Sequence, residues 1–159
     1  MTIRPVESRD AKAWATMRAR LWPDASAADL ENETRTFLSG RMLPTLNAAF
    51  IAEGEGAGPV GFIEVALRAF ADGCDSMPVP HVEGWYVEPA ARRQGIARRL
   101  IDAVETWAGA RGFNELASDT ETHNVQSAFA HASCGFQEVE RLIKFRKPIA
   151  AASRHDGKP

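Results

Sequence analysis

The stretch Val87-Glu88-Pro89-Ala90-Ala91-Arg92-Arg93-Gln94-Gly95-Ile96-Ala97 decides how the rest of the chain is read. An apolar run ends, a proline stops it, and a basic turn carrying a glycine opens a new periodic segment. From there apolar residues fall at Ile96, Leu100, Ile101, Val104 and Trp107, the spacing of one helix face, with Gly112 as terminator. A helix starting here presents unpaired N–H groups and the positive end of its dipole. Gly95 lets an anion reach the main chain, and Arg92, Arg93 and Arg98 add charge-assisted contacts. The turn reads as an anion cradle or, taken alone, as a solvated basic helix start. The spacings of the triphosphate-binding loop and of the dinucleotide G-x-G-x-x-G fingerprint are absent, which disfavours those cofactors.

Upstream, Thr2 to Val6 alternates as a strand, and Ser8 is a candidate N-cap for a helix that Pro23 stops. Ser26 can cap a second helix through Leu38, closed by Gly40. Asn47 to Glu53 and Val60 to Phe70 read as a hairpin across a glycine-rich turn. Ala71 to Pro80 is a loop, and His81 to Glu88 is the strand that feeds the basic turn. Downstream, Phe113 to Ser118 reads as a strand, Asn124 to Ser133 as a short helix, and Phe136 to Phe145 as a final strand. Strand, helix, strand in that order makes the strands at His81 and Phe113 parallel if they share a sheet. The fold class expected is α+β, a mixed α/β arrangement over residues 1–148, with 149–159 as a flexible C-terminal tail.

Composition narrows the function. The 159 residues carry 19 Lys plus Arg against 21 Asp plus Glu, without the basic excess of a general nucleic-acid binder. Charges at Arg4, Glu7, Arg9 and Asp10 break up the N-terminus, and no run reaches the ~18 apolar residues of a membrane span. The expected compartment is therefore the cytoplasm. The two cysteines, Cys74 and Cys134, lack metal-ligand or disulfide-framework spacing, so they read as free thiols and no metal is expected.

Charge is segregated along the chain. Between Arg68 and Arg92 there is no lysine or arginine, while Asp72, Asp75, Glu83 and Glu88 fall there; four arginines follow between Arg92 and Arg99. This suits an anionic cofactor beside a cationic acceptor, with Asp75 and Glu83 serving the latter; the plain alternative is that Glu88 is an exposed loop charge and Asp72 or Asp75 an Asx-turn residue.

The segment Arg92-Arg93-Gln94-Gly95-Ile96-Ala97 resembles the R/Q-x-x-G-x-G/A signature of the GCN5-related N-acetyltransferase superfamily. The hairpin before it, Asn124 after the helix and Cys134-Gly135-Phe136 near the end agree with that resemblance. The resemblance implies a mostly antiparallel sheet with one splayed parallel pair, a bulge near Gly84, and about four flanking helices. Acetyl-coenzyme A would be the cosubstrate. Trp85, Tyr86 and Val87 would offer main-chain groups to its arm, unless Trp85 and Val87 simply pack a core face, and Arg93, Gln94, Gly95, Ile96, Ala97 and Arg98 would take its diphosphate. Asn124 would contact it, cap its own helix, or do both.

Leu21-Trp22-Pro23, Gly73-Cys74-Asp75-Ser76 before Pro78-Val79, Glu83-Gly84, Ala117-Ser118-Asp119 and Glu140-Arg141 are similar to the aminoglycoside 6'-N-acetyltransferases. That branch implies antibiotic contacts at Trp22, Phe70, Glu83, Asp119 and Glu140, and a homodimer. Phe70 stands where a tyrosine is expected. An amine with a pKa near 10.4 is neutral only about once in ~10³ molecules at pH 7, so its proton must be taken. Asp119 or Glu83 could accept it, or both could simply bind substrate ammonium groups. The tyrosine that protonates the leaving thiolate in many members is replaced by His131, either an acid or a packing residue. Open alternatives are a polyamine or protein-amine acceptor, and a non-catalytic acetyl-coenzyme A sensor.

Overall fold

A computed structural model describes residues 1–56 and 58–149; the expected tail lies outside these apart from Ile149. Five strands, β1 (Thr2–Pro5), β2 (Ala48–Gly54), β3 (Gly58–Arg68), β4 (Val79–Val87) and β5 (Ala117–Ser118), form one sheet in sequence order. Neighbours are antiparallel as far as β4, and β4 and β5 are parallel. Four α-helices accompany them among the described residues: α1 (Ala11–Leu21), α2 (Ala27–Leu38), α3 (Ile96–Gly109) and α4 (Val125–Ser133). This is the expected mixed fold.

The two-residue period of the strands builds two cores. From β2, Ala48, Phe50 and Ala52 face α3 with Ile63 and Val65 of β3, where Ile96, Leu100, Ile101 and Val104 cover them. The alternate residues Ala49 and Ile51, with Phe62, meet Trp14 and Met17 of α1 on the other side. Both faces of the sheet are thus buried, which is why β2 and β3 read as nearly continuous apolar runs.

A β-bulge lies in β4. Glu64 pairs with Gly84 and Val65 with Val82, leaving Glu83 without an opposite residue. The extra residue shifts the alternation: Val82 faces the α3 core before the bulge, Trp85 and Val87 after it. Beyond Val82 no strand lies beside the outer edge of β4 among the described residues, because β5 pairs only at Ala117 and Ser118.

Beneath α1 lies a buried charged network. Glu64 accepts from Trp14 Nε1 at 2.7 Å and lies 2.7 Å from Arg18 Nε. Arg18 also reaches Glu33 and the Leu30 carbonyl, tying α1 to α2, with its guanidinium over the rings of Trp14 and Trp22. Burial pushes the Glu64 carboxyl up to about 7 against the opposing pull of Arg18.

Several boundaries differ from the expectations, among them β3, which spans Gly58–Arg68 against the expected Val60 to Phe70. Ser8 opens a short 3-10 turn instead of capping α1; Glu7 precedes it and forms a capping box with Asp10. β4 begins at Val79, two residues inside the expected loop, because Val79 and Pro80 pair with Arg68 and Leu67. The strand expected at Phe113 to Ser118 is reduced to Ala117–Ser118. The final strand expected at Phe136 to Phe145 is irregular chain, with Val139, Leu142, Ile143 and Phe145 exposed. Its apolar residues do not alternate, and strand-favouring side chains form a strand only with a hydrogen-bonding partner alongside.

Candidate active site

The basic turn has the geometry of an anion cradle. Arg93 and Gly95 are both in the left-handed region, at φ 61° and 75°. Alternating backbone handedness turns successive N–H groups toward one point. Gly95 gives α3 no side-chain cap, and no acidic residue occupies its first turn. A Cβ on Gly95 would meet nothing within 4 Å, so the space in front of it is open.

The side chains nearby divide their work. Arg93 makes no ion pair among the described residues and is exposed. Arg98 pairs with Asp102 at 2.9 Å, Arg92 Nε donates to the Val87 carbonyl at 2.9 Å, and Gln94 reaches the Ala90 carbonyl at 3.4 Å. Ile96 is a core residue and Ala97 packs against the same core, so these two offer the site only their backbone.

Past the divergence of β4 and β5, Trp85 turns toward α4 and Tyr86 toward α1, where its hydroxyl donates to Glu88. Trp85 Nε1 is buried and has no partner among the described residues, a donor awaiting an acceptor. His131 stands edge-on between Trp85 and Phe136. Its Nε2 is 2.8 Å from Ser118 Oγ and its Nδ1 2.7 Å from the Ser127 carbonyl, so both nitrogens serve packing contacts. Asn124 caps α4, accepting from the Ser127 N–H at 3.0 Å. These features fit a cofactor with a diphosphate and an extended arm.

The two carboxylates expected to meet the amine do come together. Arg68, the last residue of β3, donates from Nε and Nη2 to the two oxygens of Glu83, each at 2.8 Å, and from Nη1 to Asp119 at 3.3 Å. His81 is buried beneath them, with Nδ1 3.3 Å from Glu83 and Nε2 3.5 Å from Asp119. Its Nδ1 has no aligned hydrogen bond among the described residues, so the Arg68 fork is the directional contact. Burial would push the Glu83 carboxyl up, but His81 and the fork outweigh it and hold the group at about 2.

The remaining expected contacts disperse. Trp22 is half-buried against Phe62 and fills the space beside Gly84. Phe70 is exposed just beyond β3. The Asp75 backbone donates to Glu115, which pins the acidic loop, while Glu140 lies on the exposed C-terminal segment; neither carboxylate joins the Glu83–Asp119 cluster by hydrogen bond or ion pair.

The segregation of charge along the chain does not survive folding. Arg68 folds onto Glu83, and Arg20 onto Glu88 from far away in sequence. Sequence reading missed Arg68, His81 and Glu115. Only His81 left a signal there, since it lies two residues from Glu83 on one strand. A cavity of roughly 600 Å³ beside β5, between Cys74 and Cys134, includes neither Glu83 nor the turn and is a separate feature. No helix among the described residues is long and apolar enough to cross a membrane, and no three metal-ligating side chains cluster there.

Comparison with known proteins agrees with this geometry. The model of the acetyltransferase (GNAT) family matches residues 14–136. The aminoglycoside N(6')-acetyltransferase type 1 of Klebsiella aerogenes is 43% identical over 147 residues, covering 92% of this chain and 96% of that protein. The enzyme of the same name from Stenotrophomonas maltophilia is 42% identical over 149 residues, covering 93% and 94%. The structure of AAC(6')-Iy with the bisubstrate analogue CoA-S-monomethyl-acetylneamine superposes with a TM-score of 0.82 at 34% identity, covering 93% of this chain and 98% of that one. With the bulged strand, the uncapped turn and a family match over most of its length, the chain belongs to the acetyltransferase (GNAT) family.

Proposed function

We propose that this protein transfers the acetyl group of acetyl-coenzyme A directly to the 6'-amine of an aminoglycoside, as an antibiotic-resistance enzyme. The observation that carries the reading is the meeting of Glu83 and Asp119 where β4 parts from β5, on the strand that leads into the basic turn. A polycationic sugar needs clustered carboxylates, and an acyl donor with a diphosphate needs the turn. The relatives named above carry this activity in their names.

Arg93, Arg98 and the N–H groups around Gly95 would hold the diphosphate, with Gln94, Ile96 and Ala97 shaping the turn. Trp85, Tyr86 and Val87 would line the arm, Asn124 contacting it from α4. The cosubstrate supplies a thioester whose carbonyl carbon is the electrophile. Glu83 and Asp119 orient the ammonium group, with Trp22 and Phe70 framing the acceptor and Asp75 and Glu140 adding charge at its rim. A carboxyl held at about 2 is a poor proton acceptor, so Glu83 in the free protein is suited to binding. Asp119, 66% exposed, is the member open to water and takes the proton directly or through it. The C–N bond forms, the C–S bond breaks, and the thiolate leaves; with a thiol pKa near ~8.5 it needs little help, consistent with the packing role of His131.

The same reading includes a cytoplasmic homodimer. Two free thiols fit a reducing compartment. Exposed Val139, Leu142, Ile143 and Phe145 supply apolar surface for a second copy.

Thiol release from acetyl-coenzyme A, measured with kanamycin, spermidine and a peptide amine, tests the proposal. Turnover with kanamycin is expected, and Glu83→Ala and Asp119→Ala should each lower it about ten-fold or more while cofactor binding persists. If kanamycin is inert while spermidine or the peptide turns over, the antibiotic reading fails. No turnover with any amine leaves a sensor of acetyl-coenzyme A.

A further inference from the structure

We infer that Arg68 is a built-in stand-in for the acceptor's ammonium group: it fills the space between Glu83 and Asp119 in the free protein and must leave for a cationic substrate to bind. This rests on the proposed reading of the site as one for a cationic amine.

All three guanidinium nitrogens of Arg68 are spent on the two carboxylates, and both Glu83 oxygens accept from it. An incoming ammonium needs those same oxygens. Either it binds elsewhere, or Arg68 gives way. Two observations favour release. The Arg68 side chain is 41% exposed and Asp119 more so, leaving an open path to water. It also sits at the end of β3, where the chain leaves the sheet. Arg18 shows the opposite case: at 5% exposure, with two carboxylates, a carbonyl and two indole rings around it, it has nowhere to go.

The exchange is also reasonable electrostatically. One positive charge leaves as another arrives, so the carboxylates never face each other bare. Without any cation, like charge would drive one of them to take up a proton and lose its grip on an ammonium. Arg68 therefore balances their charge in the free protein, while competing with every substrate that comes.

Arg68→Gln and Arg68→Lys, assayed at pH 8, test this with kanamycin as acceptor. For Arg68→Gln, KM for kanamycin should fall about five-fold, the factor attached to a half-exposed ion pair, with KM for acetyl-coenzyme A unchanged. Arg68→Lys keeps the charge but not the fork, so its KM should fall less. A purely structural tie, or an arginine that binds substrate hydroxyls, would instead raise KM or lower kcat alone. Unchanged or raised KM for kanamycin in both variants overturns the inference. If Arg68→Gln fails to fold by circular dichroism, Arg68→Lys decides alone. Should the wild type bind acetyl-coenzyme A yet acetylate no aminoglycoside, the functional reading has failed, and the inference falls with it.

Discussion

The Trp22 ring occupies the space in which a side chain at Gly84 would stand: a Cβ built there would meet Trp22 Cη2 at 2.6 Å and Cζ2 at 2.8 Å. Gly84 follows the bulged Glu83, so the close approach fixes the end of α1 against the point where β4 turns away from β5. Gly84→Ala should therefore destabilise the fold by about 1–3 kcal/mol through overpacking, read as a lower midpoint in urea. Turnover should fall further than cofactor binding, because Trp22 and Glu83 move while the basic turn does not. Equal stability and turnover in the variant would mean that the ring repacks freely.

At the turn, Gly95 needs a left-handed conformation that costs other residues roughly 1–2 kcal/mol. The space around it is open, so Gly95→Ala has no clash to add and should lose about that much stability. Arg93 is unpaired among the described residues, and Arg93→Ala should leave stability alone. Both variants should weaken binding of coenzyme A in isothermal titration, Arg93→Ala by about ten-fold or less, as expected for one exposed charge-assisted contact. Retained affinity in both would remove the turn from the cofactor site.

The carboxyl of Glu83 is lowered from 4.5 to about 2, so the folded chain binds fewer protons there than the unfolded one. Its contribution to stability is complete above pH 4.5 and is lost as the pH falls toward 2. Glu83→Gln should therefore flatten the acid limb of stability between those values and leave the profile above pH 6 parallel to that of the wild type. Denaturant midpoints across pH 3–8 check this; an unchanged acid limb refutes the role of the Arg68 fork in holding that group ionised.

Glu64 carries the opposite sign. Its carboxyl is raised to about 7, so whatever stability its protonation supplies is present below 4.5 and disappears as the pH rises through 7. Arg18→Met removes the guanidinium that offsets the buried charge and should cost about 3–5 kcal/mol near pH 8. At pH 5 the orphaned carboxyl takes a proton cheaply, and the loss should shrink. A loss independent of pH would show that Arg18 acts by packing between Trp14 and Trp22 and not by charge.

The basic turn, the helix behind it and the parallel strand pair were legible in the sequence because each depends on neighbours a few residues apart. Ile96, Leu100, Ile101 and Val104 announce one buried face by spacing alone, and all four are in the core. Asn124 could be read as a cap because capping spans only three residues. The same local logic overreached at Phe136 to Phe145, where strand-favouring residues have no partner strand among the described residues. It also made the strand before Ser118 too long, since the pairing with β4 spans only Ala117 and Ser118.

What the sequence determined by itself was a mixed fold and the basic glycine-containing turn that opens α3; its resemblance to a known branch added Glu83 and Asp119 among the carboxylates of interest. Only the tertiary structure decided that these two share one arginine and one buried histidine, since Arg68 lies 51 residues from Asp119. The physical reason is that backbone periodicity is written in adjacent residues, whereas an electrostatic environment is assembled from distant strands. Charge order along the chain put Arg68 at the edge of an acidic stretch; folding put it at the centre of one.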